Sequence, residues 1–178
     1  MGGAMFLLIT GGSASGKSAY AEQRVTELDD PLRYYVATMQ SSDQESRERI
    51  RRHRRMRSGK GFVTVERPLD LPGLKLEHSG ERSSCALLEC LSNLAANEMF
   101  DPQGSHEQAQ ERIEAGIDSL MKQCDNLVVV TNEVFSDGVE YDPYTRRYLQ
   151  LLGNLNCRLA ARADEVIEVV CGIPCRLK

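Results

Sequence analysis

No apolar stretch in this chain approaches the roughly 18 residues that a membrane-crossing helix needs. Runs such as Phe6-Leu7-Leu8-Ile9 and Leu127-Val128-Val129-Val130 are far too short, so no membrane insertion is expected. The N-terminus lacks a basic segment followed by a long apolar one, and Phe6 stands where a myristoylation signal needs Ser or Thr. A cytoplasmic address is expected. Excess positive charge is missing too: 22 basic against 26 acidic residues leave a net charge of -4, which argues against a protein that coats nucleic acid. Glycine, at 14, and proline, at 6, are too few for a collagen-like or disordered chain. Six cysteines (Cys85, Cys90, Cys124, Cys157, Cys171 and Cys175) come without an export signal, and four of them are read as lying inside apolar patterns. Reduced core thiols are therefore expected rather than disulfides. Cys171 and Cys175 come nearest to a metal pair, but no partner pair of Cys or His stands at zinc-site spacing.

What is present, 178 residues of which 41% are hydrophobic, suffices for one domain with a full core. We assign it to 5–178 and set 1–4 aside as a tag remnant or an early start. Met5 to Thr10 is a short apolar run ending at Gly11-Gly12, and a helix follows from Gly16 to Leu28. Tyr34 to Ala37 reads as a second strand. Ser42 and Glu45 form a capping-box pattern that opens a charged helix to about Met56. Phe62 to Val65 is β-rich, Pro68 to Ser84 reads as irregular connection, and Cys85 to Cys90 as a buried strand. Ile113, Ile117, Leu120, Met121 and Cys124 share one helical face; Leu127 to Thr131 is a strand; Tyr148, Leu151, Leu152, Leu155 and Leu159 stripe another helix; Val166 to Val170 is the last strand. Apolar strands alternating with helices predict an α/β fold, a mostly parallel sheet flanked by helices.

Gly11-Gly12-Ser13-Ala14-Ser15-Gly16-Lys17-Ser18 fits G-x-x-x-x-G-K-[ST] between a strand and a helix start, the P-loop context. Glycines let backbone N–H groups curl around phosphate oxygens, and the helix N-terminus adds partial positive charge. Lys17 would neutralise β- and γ-phosphate oxygens, and Ser18 would offer its hydroxyl to Mg²⁺. A glycine turn that merely joins strand to helix would not need that lysine and serine.

From Arg47 to Lys60, eight cations face Glu48 alone; the segment carries +7 and the remainder of the chain -11. A solvated helix face or a nonspecific nucleic-acid patch would look the same. Yet His53 sits inside the run, where surrounding cations disfavour the imidazolium and leave a nucleophilic neutral ring. His78 and His106 fall in segments read as loops. Two acids, Glu89 and Glu133, follow buried strands, where a carboxylate can hold a Mg²⁺ shell, accept a substrate proton, or simply cap the next helix.

In order, these segments resemble the bifunctional adenosylcobinamide kinase/adenosylcobinamide-phosphate guanylyltransferase family of cobalamin biosynthesis. The matching motifs are Gly11 to Ser18 with Ala21-Glu22, Tyr35-Val36-Ala37-Thr38, Arg49-Ile50-Arg51-Arg52-His53, Leu87 to Leu91, Val130 to Val134, and Gly153 to Val166. The resemblance runs from about Phe6 to Gly172. It implies a P-loop NTPase-type domain, Mg²⁺ dependence, and GTP and ATP as substrates. Adenosylcobinamide would be phosphorylated first, and GMP from GTP would then pass through a guanylyl-histidine to adenosylcobinamide phosphate. His53 is the matching nucleophile, with Lys17 on the phosphates. The same carry-over places Ala37, Thr38, Met39, Arg54, Arg55, Met56, Arg57, Glu66 and Glu89 against the guanine nucleotide; the phosphate loop and the strand-end acids put the metal near Ser18, Glu89 and Glu133. It also implies a homo-oligomer, a trimer, with no nucleic-acid partner. Two other readings fit parts of the pattern: a divergent P-loop small-molecule kinase with an inert His53, and a nucleotide-gated binding protein whose basic helix docks on nucleic acid or an acidic partner.

Overall fold

The computed structural model describes residues 5–28, 30–40, 44–77, 83–134, 138 and 140–178, apart from the side chains at 45, 46, 49, 53 and 56. Its strands are β1 (Met5–Thr10), β2 (Leu32–Ala37), β3 (Phe62–Glu66), β4 (Ser84–Glu89), β5 (Asn126–Val130), β6 (Glu165–Val170) and β7 (Ile173–Arg176). Its helices are α1 (Lys17–Glu27), α2 (Gln44–Arg57), α3 (Leu91–Phe100), α4 (Ala109–Gln123) and α5 (Pro143–Arg162). The seven strands form one sheet in the order β3-β2-β4-β5-β1-β6-β7. The pairs joining β1 to β6 are parallel; β7 returns antiparallel on β6.

The continuous apolar runs are explained by coverage on both faces, because successive strand side chains point to opposite sides. Phe6 and Leu8 of β1 pack with Tyr34, Ala86, Leu88, Leu127 and Val129 beneath α3, α4 and α5. Leu7 and Ile9 pack on the other side with Tyr35, Leu87, Val128 and Val130 against Ala21 and Val25 of α1. At about 1.5–3 kcal/mol for each fully buried large aliphatic side chain, these two layers hold the sheet together. Every parallel strand therefore delivers its carboxyl end to the same edge, which is where ligands bind in open α/β sheets.

The structure corrects several expectations. The connection after β3 is irregular as expected, but it adds to the core: a 3-10 turn at Leu71–Gly73 places Leu71, Leu74 and Leu76 there. Gly116 makes room for this turn, since a Cβ there would come within 2.6 Å of the Leu71 side chain. Helix α3 was not evident in the sequence because its buried face includes Ser92 and Glu98. Glu98 is tolerated there because it accepts hydrogen bonds from the backbone N–H of Asp70 (2.7 Å) and Ser105 (2.9 Å) and from the Ser105 hydroxyl (2.7 Å). Cys90 does not end β4 but precedes α3. The last strand is β7, not β6. Of the cysteines, all free, three rather than four are buried: Cys85, Cys90 and Cys124. Ser42 and His78, and the side chain of Glu45, lie outside the described residues, so the capping box is not described.

Candidate active site

The loop between β1 and α1 is shaped by backbone that favours glycine. Gly11 has φ +153°, and a Cβ there would sit 2.6 Å from the Val169 carbonyl oxygen. Gly16 has φ +94°, and Ala14 adopts the left-handed conformation at φ +56°. Two neighbours clamp the loop: the Glu133 N–H donates to Gly11 O (3.0 Å), and the Gly172 N–H, from the β6–β7 turn, donates to Ser15 O (2.8 Å). Among the described residues no side chain caps the N-terminus of α1. Its first N–H groups thus point at the loop, an anion-binding arrangement.

Lys17 Nζ donates to Gly12 O at 2.8 Å, folded back over the loop. Ser18 Oγ donates to Glu89 Oε1 at 2.7 Å, joining the start of α1 to the end of β4. Burial pushes the Glu89 carboxyl up to about 7, although the Ser18 hydrogen bond and the Lys17 charge pull it down. Its Oε2 is buried and has no hydrogen-bond partner among the described residues. A hydroxyl and an underused carboxylate beside a phosphate loop are hard oxygen donors of the kind Mg²⁺ takes, so these residues fit that ion. Among the described residues no cluster of three or more His, Cys, Asp or Glu could hold a metal by itself, so phosphate oxygens would have to complete its shell.

A cleft of about 1140 Å³ opens over this loop. Ser13 to Ser18 and Glu89 line one part of it, and Arg47, Ile50, Arg51 and Arg54 of α2 line another. Positions 47, 50, 51 and 54 recur at helical spacing, so one stripe of α2 faces the cleft. The end of α2 is anchored by three contacts. The buried Arg57 guanidinium lies 3.8 Å from the Tyr35 ring centroid. Arg57 Nε donates to Thr64 Oγ1 at 3.3 Å. Lys60 Nζ, just beyond the helix, pairs with the buried Glu22 carboxylate at 2.6 Å.

Of the residues expected around the nucleotide, Ser13, Ala14, Ser15, Gly16, Lys17, Ser18, Ala37, Met39, Arg54, Arg57, Glu66 and Glu89 line this cleft. Arg54 and Glu66 are also paired with each other across it. Others do not line it. Gly11 and Gly12 shape the loop from behind, and Arg55 is exposed away from the lining. Thr38 is fully buried: its Oγ1 donates to Cys90 O and accepts from Cys90 N, both at 2.8 Å, which ties the end of β2 to the start of α3. Glu133, expected beside the metal, instead stands past β5 with its backbone tied to Gly11, and it too does not line the cleft. His53 lies within α2, but its side chain, like that of Met56, is outside the described residues. Sequence reasoning missed Tyr35, Gln40, Asn93, Asp101 and Asn132. Tyr35 and Asn132 stand inside the matching segments Tyr35-Val36-Ala37-Thr38 and Val130 to Val134; Gln40, Asn93 and Asp101 come from segments with no recognisable pattern.

A parallel sheet, a phosphate loop after β1 and a carboxylate at the end of β4 define a P-loop nucleotide-binding protein. Solved structures agree at the level of fold. A flagellar accessory protein, FlaH, from Methanocaldococcus jannaschii is 12% identical with a TM-score of 0.53, over 99% of this chain and 79% of that one. A KaiC-like protein from Pyrococcus horikoshii OT3 is 12% identical with a TM-score of 0.50, over 93% and 72%. Within that class, residues 7–177 match the family model for cobinamide kinase / cobinamide phosphate guanyltransferase. The bifunctional adenosylcobalamin biosynthesis protein CobU of Escherichia coli strain K12 is 36% identical over 185 aligned positions, covering 98% of this chain and all of the relative. The bifunctional protein CobP of Pseudomonas aeruginosa is 33% identical, covering 96% of each. The chain belongs to the cobinamide kinase / cobinamide phosphate guanyltransferase family.

Proposed function

We propose that this enzyme phosphorylates the aminopropanol hydroxyl of adenosylcobinamide with a nucleoside triphosphate, ATP or GTP. It then transfers GMP from GTP to adenosylcobinamide phosphate through a guanylyl-histidine at His53, giving adenosylcobinamide-GDP. The observation that carries this reading is that the phosphate loop and the arginine stripe of α2 line one cleft. In the kinase step the loop's N–H groups and Lys17 cradle the β- and γ-phosphates. When bound, Mg²⁺, held by Ser18 and Glu89, neutralises phosphate charge.

In the second reaction a neutral His53 nitrogen forms a bond to the α-phosphorus of GTP, and the bond to pyrophosphate breaks. A phosphate oxygen of the acceptor then attacks the same phosphorus, the N–P bond breaks, and the imidazole returns to its starting state. Arg47, Arg51 and Arg54 supply fixed positive charge where negative charge builds up in these transition states. A single domain over 5–178, a homotrimer and a cytoplasmic location belong to the same reading. Among the described residues no helix is long and apolar enough to cross a membrane.

Incubating wild type and His53→Ala with α-labelled GTP and Mg²⁺ tests the covalent step. Acid-labile label should stay on the wild type and be absent from the variant. Equal labelling, or none in either, overturns the role given to His53.

A further inference from the structure

The α3 wall of the cleft has no part in the phosphate chemistry above. Asn93 and Asp101 line it. Among the acids that line the cleft, Glu66 is paired with Arg54 and Glu89 is bonded to Ser18. Asp101 instead accepts from neutral donors: its Oδ1 from the Gln103 N–H at 2.8 Å and its Oδ2 from Gln40 Nε2 at 2.9 Å. Each oxygen keeps a lone pair for a further donor, and these two hydrogen bonds hold the carboxyl below its ordinary range, so it stays ionised.

Directly beside Asp101 stands Phe100, 51% exposed. Its ring centroid lies 6.2 Å from that of Tyr148. The Tyr148 hydroxyl donates to Ser92 O at 3.2 Å, next to Asn93. Tyr144, 69% exposed, precedes Tyr148 by four residues, on the same face of α5. Phe100 and Tyr144 are the exposed aromatics among the described residues. Phe100 thus stands one residue before the cleft-lining Asp101, and exposed aromatic surface at the rim of a ligand cleft marks a binding site rather than a core. The rings themselves carry no charge, and the Asp101 carboxylate next to Phe100 would repel phosphate, so this rim does not suit a nucleotide. It suits a large ring system with apolar edges and hydrogen-bonding amides, tethered to an arm that ends in a hydroxyl.

We propose that Phe100, Tyr144 and Tyr148 form the ledge on which the corrin ring of the acceptor lies, while Asp101 and Asn93 hold its hydroxyl-bearing arm toward the phosphate loop. The inference rests on the function proposed above and adds the acceptor's binding site to it.

The test is steady-state kinase kinetics with adenosylcobinamide and ATP, together with equilibrium dialysis of adenosylcobinamide read by its own colour. Phe100→Ala should raise KM for the corrinoid, and weaken its retention, about tenfold. Tyr144→Ala should do so about threefold, and Asp101→Asn should lower kcat/KM for the corrinoid about tenfold. KM for ATP, and GMP labelling from GTP, which needs no corrinoid, should stay within twofold of wild type. Wild-type corrinoid affinity in Phe100→Ala and Tyr144→Ala overturns the ledge, as does failure of the wild type to retain the corrinoid. If Phe100→Ala loses labelling as well, Tyr144→Ala decides. Retention without turnover leaves the ledge standing and overturns the kinase reading instead.

Discussion

Glu89 makes the active site cost stability, and the cost has a definite pH dependence. Burial moves its pKa from 4.5 to about 7. Between those values the folded chain holds a proton that the unfolded chain has released, so stability falls as pH rises through the window. At about 1.36 kcal/mol per pH unit, the deficit is fully developed by pH 8 and comes to about 3 kcal/mol. Glu89→Gln keeps the volume and can still accept from Ser18 Oγ, but it cannot ionise. In urea unfolding of the nucleotide-free protein, the variant should match wild type at pH 4.5 and exceed it by about 3 kcal/mol at pH 8. All other titrating groups are common to both proteins and cancel. The same variant should lose Mg²⁺-dependent nucleotide binding, because a neutral amide is a poor ligand for that ion. A stability difference that stays constant from pH 4.5 to 8 would refute the reasoning.

Further outcomes follow from the same contacts. Gly11→Ala should lower stability by about 2 kcal/mol or more and abolish nucleotide binding, since its Cβ would lie 2.6 Å from backbone, the Val169 carbonyl oxygen, at φ +153°. An unchanged melting temperature would count against that close approach. Lys60→Ala leaves the Glu22 carboxylate buried without its 2.6 Å partner and should cost about 2–3 kcal/mol. Adding Glu22→Gln should recover part of the loss, and strictly additive losses in the double-mutant cycle would show the pair to be uncoupled.

Local patterns in the chain carry much of this protein. The run from Met5 to Thr10, the glycines and Lys17-Ser18 specify a strand, a phosphate loop and a helix start within a few residues, because the backbone geometry and the chemistry there are short-range. The leucine stripe of α5 and the cation-rich segment from Arg47 to Lys60 are legible for the same reason, as was Glu89 as a strand-end acid. By contrast, β7 is exposed throughout and contains Pro174, so it carries no burial pattern to read. Thr38 reads as a ligand contact in a motif, yet it spends both its donor and its acceptor on Cys90.

By itself, then, the sequence determined that a nucleotide's phosphates are gripped, that the fold alternates strands and helices, and that arginines accompany His53. The strand order β3-β2-β4-β5-β1-β6-β7, the clamp of the β6–β7 turn on Ser15 and the meeting of Asp101, Phe100 and Tyr148 beside the cleft were decided only by tertiary structure. The physical reason is distance along the chain: such contacts join segments tens of residues apart, and no periodicity encodes which pleated edge or helix face will close on which.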